Sequence, residues 1–189
     1  MKLLLIAGSA RNGALSVKLR DAARAVAEAA GAETSVLDLR ALALPLYDGD
    51  IEASQGVPAA AQTLRDAIAA HDAVIIVTPE YNGFPTPLVI NAFDWLSRLK
   101  EGLAATANKP VALLASSPGA LGGLRALNTM RQYLQMAFQM LVVPQQQTVS
   151  KAHEAFAADG TLAAAKAAAM LAGVVNAALK LAASQRAAH

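Results

Sequence analysis

Short runs of apolar residues that do not alternate with polar ones constrain this chain more than any other feature. The clearest runs cover residues 74–77 and 111–114. A strand can carry such a run only if both of its faces are buried, and strands of that kind are typical of parallel sheets. Parallel strands need crossover connections, which place helices over the sheet. The runs therefore predict an α/β fold.

Five apolar segments of this type alternate with five segments in which apolar residues recur at helical spacing. The predicted strands cover residues 2–7, 34–39, 73–78, 111–115 and 140–143. The predicted helices cover residues 15–30, 59–70, 87–99, 123–137 and 161–184. Strand-then-helix units with right-handed crossovers predict a doubly wound parallel sheet with helices on both faces. Since no linker or repeat interrupts this pattern, residues 1–189 are interpreted as a single domain.

Composition argues against several classes of function. The formal net charge is only +2 and no run of Lys or Arg stands out, so we expect no nucleic-acid partner. The chain has no cysteine and three scattered histidines, which predicts no metal site and no thiolate nucleophile. The apolar start ends at Gly8, too early for a signal peptide, and we interpret no other stretch as a membrane span. The protein is therefore expected in the cytoplasm, without a membrane partner.

The loop at residues 8–13 follows the first predicted strand, and ligands of doubly wound sheets bind outside the carboxyl ends of the strands. This loop is rich in glycine and also contains Ser9, Arg11 and Asn12. Backbone amides at a helix start, a hydroxyl and a guanidinium together suit a phosphate group. A simple turn with a solvated Arg11 is the alternative.

Two better-known phosphate loops do not fit these residues. A P-loop needs Lys and then Ser or Thr after its second glycine, whereas Ala14 and Leu15 stand there. A dinucleotide fingerprint needs a glycine where Ala10 stands, although Asp38 is placed like the acid that binds ribose in that fold. The first loop alone therefore does not identify its ligand.

The loops after the third and fourth strands are also unusual. Residues 79–83 are polar and are followed closely by two prolines, which stiffen the backbone. Such a loop suits the edge of a flat heterocycle, with Tyr81 and Phe84 to stack on it or cover it; the alternative is an ordinary turn whose Tyr81 caps the core. Residues 116–123 include three glycines, two serines and a proline, whose free amides suit an electron-rich carbonyl or ring nitrogen.

With these loops, the chain resembles the NADPH-dependent FMN reductase family of flavodoxin-like proteins, which includes bacterial chromate and quinone reductases. The matching segments are GSAR at 8–11, PLYD at 45–48, PEYN at 79–82, NAFDWLSR at 91–98, and Ser116, Ser117, Gly119, Gly122, Gly123 and Arg125. The resemblance implies a five-stranded sheet of order 2-1-3-4-5, FMN as the cofactor, NADPH or NADH as the reductant, and a homodimer or homotetramer.

The resemblance also implies the cofactor-binding residues. Those near the FMN phosphate would be Ser9, Arg11, Asn12 and Ser16. Those lining the isoalloxazine or approaching its far edge would be Pro79, Glu80, Tyr81, Asn82, Gly83, Ser116, Ser117, Gly119 and Gly122. Two departures from the family, Ala14 in place of a serine and a missing lysine near Ile90, leave the FMN affinity and the acceptor pocket open.

The chemistry implied by the resemblance is flavin-centred and needs no catalytic side chain. A hydride would pass from NAD(P)H through FMN to a quinone, a flavin, an azo compound or a metal oxyanion such as chromate, in a ping-pong cycle. The sequence does not choose among these acceptors, nor between NADPH and NADH, because it shows no basic patch for a 2′-phosphate. Glu80 is expected to be structural, with hydrogen bonds to its own loop.

Two other classes of protein remain open at this point. A flavodoxin-type electron carrier without NAD(P)H activity would usually be strongly acidic, which a net charge of +2 does not match. A non-flavin α/β protein that binds a nucleotide or a phosphosugar would be colourless, whereas a purified flavoprotein is yellow.

The helix containing Trp95 has more apolar residues than one inward stripe needs, so we expect its second face to lie against a symmetry mate.

Overall fold

The sheet has the predicted order and direction. The computed structural model describes residues 1–187, which contain one all-parallel, five-stranded sheet of order β2-β1-β3-β4-β5. Its strands are β1 (Lys2–Ala7), β2 (Glu33–Leu37), β3 (Ala73–Pro79), β4 (Pro110–Ser116) and β5 (Leu141–Val149). The doubly wound, flavodoxin-like architecture expected from the sequence is confirmed.

Seven helices connect and flank these strands in the described part of the chain. They are α1 (Leu15–Ala29), α2 (Gly49–Gln55), α3 (Ala59–Ala70), α4 (Pro87–Ser97), α5 (Gly102–Thr106), α6 (Leu124–Phe138) and α7 (Ala165–Ala187). The five long helices match the prediction, whereas α2 and α5 are too short to show a helical apolar period. The start of α2 is fixed by its N-cap, since Asp48 Oδ1 accepts a hydrogen bond of 2.8 Å from the Asp50 amide.

The buried strands divide their side chains between two cores, one on each face of the sheet. Ile75 and Val77 of β3 pack in the core shared with α1 and α7. Val74 and Ile76 point the opposite way, into the core shared with α3, α4 and α6. Both faces of β3 are therefore covered, which is why its sequence is apolar without alternation.

Strand β5 continues well beyond its predicted end. The sequence predicted residues 140–143, but pairing resumes after an irregularity: Val142 lies opposite Val111, and Gln146 lies opposite Leu113. The intervening Pro144 is tolerated because β5 is an edge strand with a bulge. Arg131 donates a 2.9 Å hydrogen bond to the displaced Val143 carbonyl and another of 2.9 Å to the side-chain oxygen Oε1 of Gln146.

The expectation that α4 needs a symmetry mate for its second face is wrong. Phe93 and Trp95 are both fully buried within the subunit. Trp95 Nε1 donates a 2.7 Å hydrogen bond to the Pro45 carbonyl, and the Tyr47 ring packs edge-on against the indole at 5.1 Å. The segment before α2 therefore covers the face that the sequence assigned to a partner. The oligomeric state remains a prediction from the resemblance.

The interpretation that no later stretch is long and apolar enough to span a membrane is also wrong, because one helix meets both criteria. Helix α7 has 23 residues and a mean hydropathy of 1.5 over its most apolar window, and it is the one such helix within residues 1–187. Its buried face, which includes Val175 and Ala178, packs on the sheet beside α1. The opposite face exposes Asn176 and Lys180. The high hydropathy of α7 thus belongs to a helix whose apolar face covers the sheet.

Candidate cofactor site

The loop between β1 and α1 is held tightly against β3 and the start of α4. The Gly8 amide donates a 2.8 Å hydrogen bond to the Val77 carbonyl, and Thr86 Oγ1 donates to the Gly8 carbonyl. A Cβ atom on Gly8 would lie 2.5 Å from Val89 Cγ2, so a larger residue would force the Val89 side chain or the loop to shift. Helix α1 then begins without a side-chain cap, which leaves first-turn amides available to an anion.

Two buried hydroxyl groups lie in the cleft next to this loop without hydrogen-bond partners. Ser16, in the first turn of α1, is 1% exposed, and Ser116, at the end of β4, is 2% exposed. Neither Oγ atom has a partner within residues 1–187. A buried hydroxyl without a partner costs about 1–3 kcal/mol. A ligand with polar groups on both sides of the cleft would relieve this cost.

The loop after β3 forms a tight turn that presents two aromatic side chains. Tyr81 and Phe84 exchange backbone hydrogen bonds of 2.9 and 3.0 Å. Asn82 and Gly83 between them have φ angles of 54° and 83°, the signature of a type I′ turn. The Tyr81 side chain is exposed, so the alternative in which it caps the core is wrong.

Glu80 joins this turn to the start of α6. Its Oε2 accepts hydrogen bonds from the Arg125 and Ala126 amides at 3.1 and 3.2 Å, and its Oε1 accepts from the Arg125 guanidinium. Burial of the carboxyl acts to raise the pKa of Glu80, but the Arg125 side chain and the two amides outweigh it and hold that pKa below its ordinary value. The expectation of bonds within its own loop is therefore wrong: Glu80 caps a different element.

The glycine-rich loop after β4 has two parts with different roles. At its start, the Gly119 amide donates a 3.1 Å hydrogen bond to Ser117 Oγ beside the cleft. Further on, Gly122 is buried, and a Cβ atom there would lie only 2.7 Å from the Ser150 amide nitrogen. Gly122 therefore allows the loop to pack closely on the end of β5, and it does not line the cleft.

These loops enclose a cleft of ≈ 210 Å³ at the carboxyl ends of the strands. It brings together eight predicted site residues, Ser9, Arg11, Ser16, Pro79, Glu80, Tyr81, Ser116 and Ser117. Pro118, inside the predicted segment 117–119, also lines it, whereas the sequence missed Ala14 and Leu15. Neither Ala14 nor Leu15 carries a polar side chain, so neither gave a signal in the sequence. Of the other predicted residues, Asn12 lines an adjoining cleft, Asn82 and Gly83 lie in the Tyr81 turn, and Gly119 lies beside Ser117.

A larger cleft, of ≈ 560 Å³, is at the opposite edge of the sheet. It lies among the residues that precede β3 and β4, including His71, Asp72 and Lys109. Lys109 Nζ is engaged by the His71 carbonyl. Because parallel sheets of this class bind ligands at the carboxyl ends of their strands, the smaller cleft is the candidate site.

An all-parallel sheet of this order defines a flavodoxin-like fold. Residues 1–154 match the family described as NADPH-dependent FMN reductase, and the chain belongs to that family. The protein is accordingly an oxidoreductase that uses FMN and NAD(P)H. The resemblance stated from the sequence is confirmed.

Individual relatives agree with this assignment. A quinone reductase of Escherichia coli K12 is 38% identical over 135 residues, which cover 71% of this chain and 69% of the relative. An NAD(P)H-dependent FMN reductase of Pseudomonas aeruginosa is 35% identical over 163 residues, covering 86% and 84%. The structure of FerB, a flavoenzyme NAD(P)H:(acceptor) oxidoreductase from Paracoccus denitrificans, superposes with a TM-score of 0.82 at 29% identity and covers 97% of both chains.

Proposed function

We propose that this protein is an NAD(P)H:quinone oxidoreductase that holds FMN in the cleft between the first, third and fourth loops. The two buried, unpartnered hydroxyls of Ser16 and Ser116 carry this proposal, because they flank the cleft and need a polar ligand. Bound FMN would take up a hydride from NAD(P)H and deliver the reducing equivalents to the acceptor.

The protein's own residues would divide the work of holding the cofactor. Ser9, Arg11, Ser16 and the uncapped amides at the start of α1 would bind the phosphate, since they combine donors with a positive charge. Pro79 and Tyr81 would border the ring system on one side. Ser116 and Ser117 would face it from the end of β4.

The carboxyl group of the cleft is not free to act as an acid or a base. The one carboxyl group that lines the cleft, that of Glu80, is ionised and is shared between the Arg125 guanidinium and two amides. Flavin chemistry has no need of it, because hydride transfer moves no proton from the protein in its main step. We therefore assign Glu80 a structural role.

Glu80→Gln is expected to leave the rate of flavin reduction by NAD(P)H within about tenfold of wild type. Loss of a general acid or base would cost about 100-fold or more. The measurement is stopped-flow bleaching of bound FMN at saturating NAD(P)H across neutral pH. A much larger loss, with FMN still bound and the fold intact, would make Glu80 catalytic.

A stability measurement provides the control for this variant. Because the pKa of Glu80 is lowered by folding, its ionised carboxyl stabilises the protein at neutral pH. That stabilisation is lost as the pH falls through the folded-state pKa. The difference in free energy of unfolding between wild type and Glu80→Gln should therefore shrink on acidification.

A quinone is the acceptor class that we propose, and the surroundings of the cleft support a flat aromatic one. Tyr81 and Phe84 are 49% and 55% exposed beside the cleft, where their rings can stack on such a molecule. Leu121 and Leu124 are exposed on the neighbouring loop and helix, which Glu80 and Arg125 link to this turn.

The four exposed apolar side chains of Tyr81, Phe84, Leu121 and Leu124 support the proposal of a homodimer or homotetramer. We place the enzyme in the cytoplasm, where NAD(P)H is held.

The purified protein should be yellow, should lose its flavin absorbance on anaerobic addition of NAD(P)H, and should regain it on addition of a benzoquinone. Steady-state kcat/KM should be higher for the quinone than for free FMN, an azo dye or chromate. Bound FMN that NAD(P)H does not bleach would instead indicate an electron carrier. A colourless protein that does not take up FMN would indicate a non-flavin nucleotide-binding protein.

A further inference from the structure

The cleft proposed to hold FMN is called the flavin cleft. A second cleft, of ≈ 230 Å³, adjoins it on the side of β2. The two clefts share Ser9 and Arg11, so the first loop forms the wall between them. The second cleft is also lined by Arg20, Arg40 and Asp38. Three arginines and one aspartate therefore line a space beside the first loop.

The fold, not the sequence, creates this basic cluster. Arg11 lies on the first loop, Arg20 lies on α1, and Arg40 follows the end of β2. They meet because β2 pairs directly with β1, which places both strand ends side by side. The sequence showed no basic patch because the three arginines are 9 and 20 positions apart.

Two of the guanidinium groups have hydrogen-bond donors to spare. Arg40 uses Nη1 to donate to the Ala10 carbonyl at 2.8 Å and to Asn12 Oδ1 at 3.1 Å, and its Nε and Nη2 have no acceptor among residues 1–187. The Arg11 side chain makes no hydrogen bond or ion pair in the described chain. Arg20 is engaged by Asp21 through Nε and Nη2, at 2.9 and 2.7 Å.

We infer that this second cleft binds the 2′-phosphate of NADPH, and that Arg40, with support from Arg20, determines a preference for NADPH over NADH. The inference rests on the proposed function. A phosphate monoester is a compact dianion, and free donors of a guanidinium fork match its oxygens. A coenzyme whose nicotinamide lies in the flavin cleft would find this site across the first loop.

The competing occupant is the unphosphorylated ribose of NADH, bound by Asp38. A carboxylate at the end of the second strand serves this purpose in dinucleotide-binding folds. Here, however, Asp38 Oδ1 accepts a 2.9 Å hydrogen bond from the Arg40 amide, so it is partly committed to its own turn. Arg20 is paired with Asp21, and Arg11 is assigned to the FMN phosphate, so the discrimination falls to Arg40. The free Nε and Nη2 donors of Arg40 therefore favour the phosphorylated coenzyme.

The test uses 2′,5′-ADP and 5′-AMP as probes, which differ only in the 2′-phosphate. Calorimetric titration of the FMN-loaded protein should show at least tenfold tighter binding of 2′,5′-ADP. Arg40→Ala should reduce that preference about tenfold, and it should reduce the ratio of kcat/KM for NADPH to that for NADH by a similar factor. Arg24→Ala is the matched control, since Arg24 is an exposed arginine of α1 paired with Glu28, and it should change neither ratio.

Asp38→Asn separates the two occupants. Removal of the carboxylate should strengthen binding of 2′,5′-ADP if the cleft holds a phosphate, whereas it should weaken the use of NADH if Asp38 binds ribose. Equal affinity of wild type for both probes, or an unchanged ratio in Arg40→Ala, would overturn the inference. If Arg40→Ala no longer binds FMN because the first loop loosens, the same affinity ratio is measured in Arg20→Ala and Asp38→Asn, and these two variants test the inference instead. Failure of the proposed function is seen separately, as absence of flavin bleaching by either coenzyme.

Discussion

Trp95→Ala is expected to lower the free energy of unfolding by about 3–5 kcal/mol, the range for truncation of a large buried aromatic residue. Trp95 is fully buried, and its Nε1 donates a 2.7 Å hydrogen bond to the Pro45 carbonyl. The substitution leaves a cavity, removes the edge-on contact with Tyr47 and leaves that carbonyl with one donor fewer. Chemical denaturation followed by far-UV circular dichroism measures the loss.

Met136→Ala is the matched control for this variant. Met136 lies on α6 and is 74% exposed, so its truncation should change the free energy of unfolding by no more than about 0.5 kcal/mol. If Trp95→Ala instead left the unfolding free energy unchanged and only weakened subunit association, the indole would lie at an interface. That result would contradict the burial of Trp95 within its own subunit.

The central strands were predictable because their environment is simple. A strand covered on both faces must be apolar at every position, and residues 74–77 show this directly. The edge strand β5 obeys a weaker constraint, since one of its sides has no neighbour. Polar residues and Pro144 are tolerated there, so the strand continued where its sequence no longer looked like one.

Contacts between distant segments were less predictable. The apolar surplus of α4 was visible in the sequence, but its partner, the Pro45–Tyr47 region, lies about 50 positions away in an irregular segment. Similarly, Glu80 was expected to be structural, whereas its bond to Arg125, 45 positions later, required the fold. Periodicity indicates that a face is buried, but it does not indicate what buries it.

The candidate site likewise contains some features that the sequence predicts and others that only the fold reveals. The first loop could be interpreted as a phosphate loop because its donors are consecutive in sequence and precede a helix. The basic cleft behind it depends on the pairing of β1 with β2, so Arg20 and Arg40 gave no local signal. Gly122 illustrates the opposite error, because a glycine needed for packing on β5 has the same sequence signature as one that approaches a ligand.

Arg11→Ala is expected to weaken FMN binding by about 1.5–3 kcal/mol, the range for hydrogen bonds to charged groups, which corresponds to roughly 10- to 150-fold in Kd. Arg11 lines the flavin cleft on the loop that precedes the uncapped start of α1, and its guanidinium has no acid partner in the described chain. Its charge is therefore available to a ligand phosphate. Quenching of flavin fluorescence on titration of the apoprotein measures Kd.

Riboflavin separates a phosphate contact from a general effect on the site, because it has the same ring system and lacks the phosphate. Its affinity should change little in Arg11→Ala if the guanidinium acts on the phosphate alone. Arg24→Ala, which removes an exposed arginine paired with Glu28, should leave the affinity for both flavins unchanged and so controls for net charge. Equal losses for FMN and riboflavin would place the phosphate elsewhere. The first loop would then support the ring, and the unpartnered hydroxyls of Ser16 and Ser116 would need a different ligand group to satisfy them.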